Sequence, residues 1–422
     1  MNTNFPRELS GSRFLRLATI ALLSSVALAA LASAQVQCDE CSMCNSCLNC
    51  CNPAPELWVL NTRHLPRCSN LDNAFECISY QRYDRCRGCF VKETRESFLA
   101  QEASMPTLFY VHGNTLKHKG AMKGFWDMYD SLRCCPGRKR LVCWSWPAQR
   151  VFKTKGLRFG EMIEKNLRIK YVYSEYQGYY LAKLVDQMSL TQRVTLSGHS
   201  YGAITCSVAL HLMGGGCIRG LTLAGAEPVE RANLRGAMIS GAFDYDMLIP
   251  GHRYGQAFVA AEKIFSTFNC HDKTLKKWPD TSWTGRQALG YIGLPARCLG
   301  QYRHKLCQMN TYPENGKSHY LGPHLKNNRF LSALCCISFG GCHGYVPKSG
   351  EENEAPELAE PVKESAKVEE AVDVDSADDS QEEAPEQEEE TVKTSRRSSS
   401  TQSPSSGSRT SNRRNRVFGS RR

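Results

Sequence analysis

A short apolar run that ends in Gly-x-Ser-x-Gly constrains this chain more than any other feature. The run begins at Val194, the motif spans Gly198–Gly202 around Ser200, and a helix is predicted from Ala203 to about Met213. A serine on so tight a turn between strand and helix occupies a strained backbone region, and small neighbours such as the motif's two glycines relieve the crowding. The first helical turn directs free N–H groups towards the serine hydroxyl. Ordinary strand-to-helix loops also match the motif, so other parts of the chain must decide whether Ser200 is a catalytic serine.

The first residues have the pattern of an export signal. Three arginines precede an apolar stretch from Leu17 to Ala34, and Ala32-Ser33-Ala34 offers small residues for cleavage before Gln35. An uncleaved anchor is the alternative, because the apolar stretch approaches the roughly 18 residues that can span a bilayer. A cleaved signal over residues 1–34 is favoured. We therefore expect a secreted, periplasmic or cell-envelope protein, and export argues against nucleic acid as a partner.

The cysteine content fits export, because disulfides persist outside the reducing cytosol. The chain has 21 cysteines, an odd number, so at least one is free, bound or paired between chains. Six of them fall between Cys38 and Cys51, in a Cys-rich segment that we place at residues 35–55. Disulfides or crosslinks between chains, giving a disulfide-linked oligomer, are favoured there over a metal or iron–sulfur site. The other cysteines predicted to staple the fold are Cys68, Cys77, Cys86, Cys89, Cys335, Cys336 and Cys342.

Charge is segregated along the chain. The net charge is +11, but the segment 351–393 is acidic and the segment 394–422 is rich in serine and arginine. Neither tail can bury an apolar core, so both are predicted to be disordered. Removing the tails and the signal leaves residues 35–350, with a net charge of about +16. The basic surface or the terminal arginines are expected to meet anionic envelope polymers, although scattered solubilising charges explain them equally well.

Apolar runs alternate with helical patterns between residues 56 and 350, which predicts one α/β domain. The expected architecture is a mostly parallel central sheet with helices on both faces, rich in disulfides. A hairpin is predicted around Tyr80 and Tyr83, and a long aromatic helix over 163–188. The predicted strands are Glu56–Asn61, Thr107–Val111, Arg140–Ser145, Val194–Ser197, Leu221–Ala226, Lys263–Asn269 and Cys307–Tyr312.

Two strand ends supply further candidate site residues. The strand ending at Val111 leads into His112-Gly113-Asn114, which predicts an oxyanion loop: Gly113 admits a close backbone approach, and the N–H of Asn114 faces the developing charge. The next strand leads into Ser145-Trp146-Pro147, at the edge of the sheet where ligands gather. Trp146 is expected either in the core or in the pocket wall.

A serine hydroxyl needs a base, and the base needs an anion that fixes its tautomer. His319 fits best as the base, because its polar loop follows the last predicted strand; His324 and His343 are the alternatives. Asp272 is the favoured acid, because it follows the strand ending at Asn269. Glu227 and Asp280 are its rivals.

The chain resembles the α/β-hydrolases, and in particular an uncharacterised bacterial family with a strand-His-Gly-(Tyr)-Asn loop, a Ser-Trp-Pro loop and a Gly/Ala-His-Ser-x-Gly elbow. The resemblance covers roughly residues 57–325. It implies a Ser200–His319–Asp272 triad, with oxyanion donors at the backbone of Asn114 and Tyr201. His112 and His199 occupy motif positions that shape the pocket. The aromatic residue between His-Gly and Asn is missing here.

These patterns predict an exported serine hydrolase that cleaves a carboxylic ester, less favourably a thioester or amide, through an acyl-serine intermediate. The substrate is expected to be a small or lipid-like ester, and neither an organic cofactor nor a metal is expected. The alternative is a cell-envelope structural or binding protein on a vestigial hydrolase fold, crosslinked through its Cys-rich segment.

Overall fold

The computed structural model describes residues 54–66, 71, 74–100, 102–151, 159–225, 230–282 and 284–340. All of them belong to the first of two units, Met1–Glu360 and Pro361–Arg422. The predicted signal, the Cys38–Cys51 run and both charged tails lie outside the described residues. No helix in the described part of the chain combines the length and the apolar character needed to cross a membrane.

A nine-stranded sheet forms the centre of the described chain, in the order β3-β2-β1-β5-β4-β6-β7-β8-β9. All neighbouring strands run parallel except those of the hairpin, where β2 is antiparallel to both β1 and β3. The hairpin predicted around Tyr80 and Tyr83 is therefore confirmed. The strands are β1 (Glu56–Asn61), β2 (Ser79–Asp84), β3 (Cys89–Glu93), β4 (Thr107–Val111), β5 (Arg140–Ser145), β6 (Val194–His199), β7 (Arg231–Ile239), β8 (Ala261–Phe268) and β9 (Leu306–Asn310).

Helices connect most of the parallel strands. The α-helices are α1 (Arg95–Leu99), α2 (His118–Leu132), α3 (Phe159–Asp186), α4 (Tyr201–Met213), α5 (Ala257–Ala260), α6 (Trp278–Thr281), α7 (Leu289–Ile292), α8 (Tyr312–Asn315), α9 (Leu321–Lys326) and α10 (Asn328–Phe339). Short 3-10 helices span Phe75–Cys77, Leu275–Lys277 and Ala296–Lys305.

The sheet is covered on both faces, because its strands present alternate residues to two separate apolar clusters. In β1, Trp58 and Leu60 join the cluster that includes α3 and α4, and Leu57 and Val59 join the cluster that includes α2 and α10. Each of these side chains is at most 2% exposed, and burying one contributes about 1.5–3 kcal/mol. The predicted α/β architecture, a mostly parallel sheet with helices on both faces, is confirmed.

One disulfide joins the end of α2 to the last helix. It pairs Cys135 with Cys335 across 200 residues of sequence, and Cys336 is also disulfide-bonded. Cys86 and Cys89 are free thiols in the hairpin, so the prediction that they staple this region is wrong. Cys68 and Cys342 lie outside the described residues.

The strand predicted over 221–226 is wrong in the residues that are described. Leu221 forms only an isolated bridge to Ile218, and 224–225 are a turn. The strand that follows α4 is β7, which pairs with β6 on the side away from β4. The sequence prediction missed β7 because two arginines and Gly236 interrupt its apolar pattern. Arg235 remains in the sheet because Glu262 on β8 accepts two hydrogen bonds from it at 2.9 Å.

Candidate active site

Ser200 occupies the sharp turn between β6 and α4. Its backbone angles are φ 56° and ψ −117°, in a region that costs a non-glycine residue on the order of 1–3 kcal/mol. The Ser200 N–H donates to the Ile239 carbonyl at 2.9 Å, so the end of β7 holds the strained residue in place. Strain maintained in this way directs the hydroxyl towards the carboxyl edge of the sheet.

The two glycines of the elbow are required by close backbone packing. A Cβ on Gly198 would overlap the Gly202 carbonyl, and a Cβ on Gly202 would overlap the Val111 carbonyl at the end of β4. Both obstacles are backbone atoms, which cannot rotate aside. The motif is therefore fixed by contacts between the elbow and the neighbouring strand as well as by the turn itself.

The structure brings Ser200, His319 and Asp272 together. The Ser200 Oγ lies 3.0 Å from the His319 Nε2, and the His319 Nδ1 lies 2.7 Å from the Asp272 Oδ2. These residues follow β6, β9 and β8 respectively, so three parallel strands deliver them to one edge. Both separations are within the hydrogen-bonding range expected of a nucleophile, its base and the base's orienting anion.

Asp272 is held in the orientation that this contact needs. Its carboxylate is fully buried, and the Oδ1 accepts the backbone N–H groups of Thr274 at 2.8 Å and Leu275 at 2.9 Å. The Oδ2 is thereby left to accept the Nδ1–H of His319. With that proton on Nδ1, the Nε2 presents a lone pair to the serine hydroxyl.

The loop after β4 approaches the elbow closely. A Cβ on Gly113 would lie 3.1 Å from the His199 Nδ1 and 3.3 Å from the Ser200 Cβ. Thr115 has a positive φ of 67°, and its N–H donates to the Asn114 Oδ1 at 2.8 Å. In the described part of the chain, the N–H groups of Asn114 and Tyr201 have no acceptor outside the regular elements. Unpaired N–H groups of this kind are what the predicted oxyanion hole requires.

His112 and Trp146 were predicted to shape the pocket, but both side chains are fully buried behind the loop. Their rings stack at 5.6 Å, and the Trp146 Nε1–H donates to the His112 carbonyl at 2.7 Å. Arg63, which the sequence prediction missed, lies 3.2 Å from the His112 Nε2 and donates to the Leu116 carbonyl at 3.2 Å. These residues therefore brace the oxyanion loop instead of lining an open pocket.

His199 links the elbow to the loop that carries the base. Its Nε2–H donates to the His319 carbonyl at 2.9 Å, and the two rings lie 5.3 Å apart. Burial lowers the pKa of His199 to about 3, so the ring stays neutral when its neighbour is protonated. His199 therefore positions the base through its backbone.

The rival candidates are placed elsewhere or not described. Glu227 and His343 lie outside the described residues, and Asp280 is exposed on α6. His324 is buried, and its Nε2 lies 3.0 Å from the Oγ of Ser240 instead of Ser200. The Ser240–His324 contact was not foreseen, because it joins residues 84 positions apart and neither belongs to a motif.

The structure also contains a small cavity that was not predicted from the sequence. Its volume is about 10 Å³, roughly enough for one water molecule. Its lining residues are Leu167, Arg168, Tyr171, Tyr201, Asp244, Met247, Trp278, Thr281 and Ser282. Of the elbow residues, the lining includes Tyr201, which directly follows Ser200 in the chain. As for metals, the described residues contain no group of three or more His, Cys, Asp or Glu side chains arranged to hold an ion.

No protein-family model matches the chain, and none of the curated proteins compared with it matches in sequence. Similar solved structures include an inhibited esterase B from Lactobacillus rhamnosis, with 11% identity and a TM-score of 0.32, covering 74% of this chain and 96% of that one. Acyl-protein thioesterase 2 from Zea mays has 12% identity and a TM-score of 0.31, and the match covers 56% of this chain and 93% of that one. TT1662 from Thermus thermophilus has 12% identity and a TM-score of 0.31, and the match covers 62% of this chain and 91% of that one. Similarity at this level assigns no role to any residue of the candidate site.

Proposed function

We propose that this protein is a serine hydrolase of the α/β-hydrolase superfamily that cleaves carboxylic esters through an acyl-Ser200 intermediate. The observation that carries the proposal is the continuous chain of contacts from the Ser200 Oγ through His319 to the buried Asp272 carboxylate. A strained elbow, a base and an orienting anion are the parts that acyl transfer requires.

In the first half of the reaction, the Ser200 oxygen attacks the ester carbonyl while its proton moves to the His319 Nε2. The negative charge that develops on the carbonyl oxygen is stabilised by the N–H groups of Asn114 and Tyr201. As the tetrahedral intermediate collapses, the carbon–oxygen bond to the alcohol breaks. His319 returns its proton to the departing alkoxide, and the acyl group stays on Ser200.

In the second half, a water molecule attacks the acyl-serine carbonyl while His319 accepts the water's proton. The ester bond to Ser200 then breaks, and the serine oxygen recovers the proton from His319. Asp272 stabilises the imidazolium in both halves without itself being protonated. The atoms balance as one ester and one water giving one acid and one alcohol.

The cavity beside Tyr201 is the place we assign to the acyl group. Aromatic side chains form much of its wall, namely Tyr171, Tyr201 and Trp278. Because it has room for about one solvent-sized sphere, it favours a short acyl chain such as acetyl. The sequence pattern of residues 1–34 extends the proposal to an exported enzyme, whose Cys-rich segment serves for attachment or crosslinking.

The test is labelling of the purified protein with a fluorophosphonate, which reacts with an activated serine. Wild type is expected to be labelled and to hydrolyse para-nitrophenyl acetate, and Ser200→Ala is expected to lose both properties. Ser240→Ala is the matched control, because it removes the hydroxyl of the buried Ser240–His324 contact. That control should be labelled like wild type. Absence of labelling in wild type, or equal labelling of Ser200→Ala, would contradict the proposal.

A further inference from the structure

Two exposed lysines stand side by side at the candidate catalytic groups. Lys273 directly follows Asp272, and Lys317 precedes His319 by two residues. The Lys273 N–H donates to the Lys317 carbonyl at 3.3 Å, so the acid loop and the base loop meet at these two residues. The two residues are therefore backbone neighbours on the loops that carry Asp272 and His319.

More lysines continue this surface, and few carboxylates oppose them. The lysine rim, as we name it, consists of Lys273, Lys276, Lys277 and Lys317, all exposed. In the described part of the chain none of the four forms an ion pair.

The acids of the same two loops do not neutralise the rim. Asp272 is buried and contacts His319, and Glu314 forms an ion pair with Arg329 at 3.2 Å. Asp280 is exposed and is the acid left to offset the four ammonium groups. Like charges held this close repel one another, and an anion bound among them removes that cost.

The position of the rim indicates which part of a substrate it meets. His319 gives its proton to the departing alcohol, so the alcohol portion of an ester must lie on the side of the base. Lys317 is on the loop of His319, and Lys273 meets that loop through its backbone contact with Lys317. Lysine is a flexible point charge, which suits carboxylate or phosphate groups presented at the surface.

We propose that the lysine rim selects esters whose alcohol portion carries an anionic group, a carboxylate or a phosphate. The inference rests on the proposed function, since it needs the leaving group to lie beside His319. It places the anionic charge on the part that departs, and leaves the acyl portion to the small cavity beside Tyr201.

The experiment compares matched acetyl esters on the full-length protein. The neutral ester is methyl para-acetoxybenzoate, and the anionic esters are para-acetoxybenzoate and para-acetoxyphenyl phosphate. The measured quantity is the ratio of kcat/KM for each anionic ester to kcat/KM for the neutral one. The variants are Lys273→Gln and Lys317→Gln, alone and combined, and Lys92→Gln is the control because it removes an exposed charge from β3 at the other end of the sheet.

The combined variant is expected to lower the ratio about tenfold at low ionic strength, because each exposed lysine contributes a severalfold Coulomb attraction at this range. Raising the salt to about 0.5 M should lower the wild-type ratio similarly, since the Debye length then shrinks to a few ångströms. The neutral ester and the Lys92→Gln control should be unaffected. The phosphate and carboxylate arms show which anion is preferred.

The outcomes separate this inference from the proposed function. If the neutral ester is hydrolysed through Ser200 but the ratio does not change in the combined variant, the rim does not select anions and the inference is overturned. A parallel fall in turnover of both kinds of ester would also overturn it, because that result assigns the lysines a structural role.

Discussion

Replacing Asp272 by asparagine tests the tautomer argument directly. The asparagine Oδ1 can still accept the N–H groups of Thr274 and Leu275, so the loop should keep its structure. The amide NH₂ then faces the His319 Nδ1, where the carboxylate had accepted a hydrogen bond at 2.7 Å. Two donors cannot share that contact, so the imidazole proton moves to Nε2, where it blocks proton transfer from Ser200.

The expected loss is large. Substitution of the triad acid by its amide lowers kcat by about 10⁴-fold in a serine protease whose geometry is otherwise intact. Such a loss corresponds to about 5.5 kcal/mol of transition-state stabilisation. The unfolding free energy should change much less for Asp272→Asn than for Asp272→Ala, which leaves two buried N–H groups without an acceptor at about 1–3 kcal/mol each.

The assay is kcat and KM on para-nitrophenyl acetate, together with urea unfolding of each variant. Asp280→Asn is the matched control, because it changes an exposed aspartate on the neighbouring helix and should retain wild-type kcat. If Asp272→Asn kept kcat within about tenfold of wild type, the assignment of Asp272 as the orienting anion would be wrong. A large loss in Asp280→Asn would refute it equally.

Two further predictions concern stability. Burial lowers the pKa values of His112, His199 and His324 to about 3. Their neutral forms therefore stabilise the fold above the ordinary histidine pKa of about 6.5. That contribution to the unfolding free energy is lost as the pH falls from about 6.5 towards 3. The unfolding free energy should fall by up to about 1.4 kcal/mol per pH unit for each histidine. Equal unfolding free energies from urea denaturation at about pH 6.5 and pH 5 would contradict this prediction. Replacing Cys135 and Cys335 together by serine should lower the unfolding free energy by about 2–5 kcal/mol, since the disulfide closes a long loop, and the same denaturation assay would show no change if the bond contributed nothing.

The residues that sequence reasoning proposed for the site, and that the structure brings together, share a local cause. The elbow is specified within ten residues, because a strand, two glycines and a helix must follow one another around Ser200. Asp272 and His319 could be proposed since the carboxyl ends of parallel strands meet at one edge. The expected order of serine, acid and histidine along the chain then reduced the number of candidate acids and bases.

The features that were missed depend on contacts between distant segments. Strand β7 contains Arg231 and Arg235, which interrupt an apolar run, and the structure keeps Arg235 there through Glu262 on β8. The sequence pattern cannot show such a partner in advance. The same holds for Arg63, whose importance comes from its approach to His112 across 49 residues of sequence.

The supporting roles of His112 and His199 could not be read from the motifs either. Motif position placed both residues beside the serine, but only burial and hydrogen bonding show what they contact. His112 stacks on Trp146, and His199 donates to the His319 carbonyl. Both residues contact the backbone of loops at the candidate site, and both side chains are buried.

The order of the strands has a consequence for how activity is acquired during folding. The candidate base His319 follows β9, the edge strand of the described sheet, which pairs with β8 and is the last of these strands in the sequence. A refolding chain in which β6 and α4 have already formed therefore has its serine in place but lacks a proton acceptor. Under the proposed function, recovery of turnover reports the pairing of β9, whereas the circular dichroism signal reports the formation of the helices.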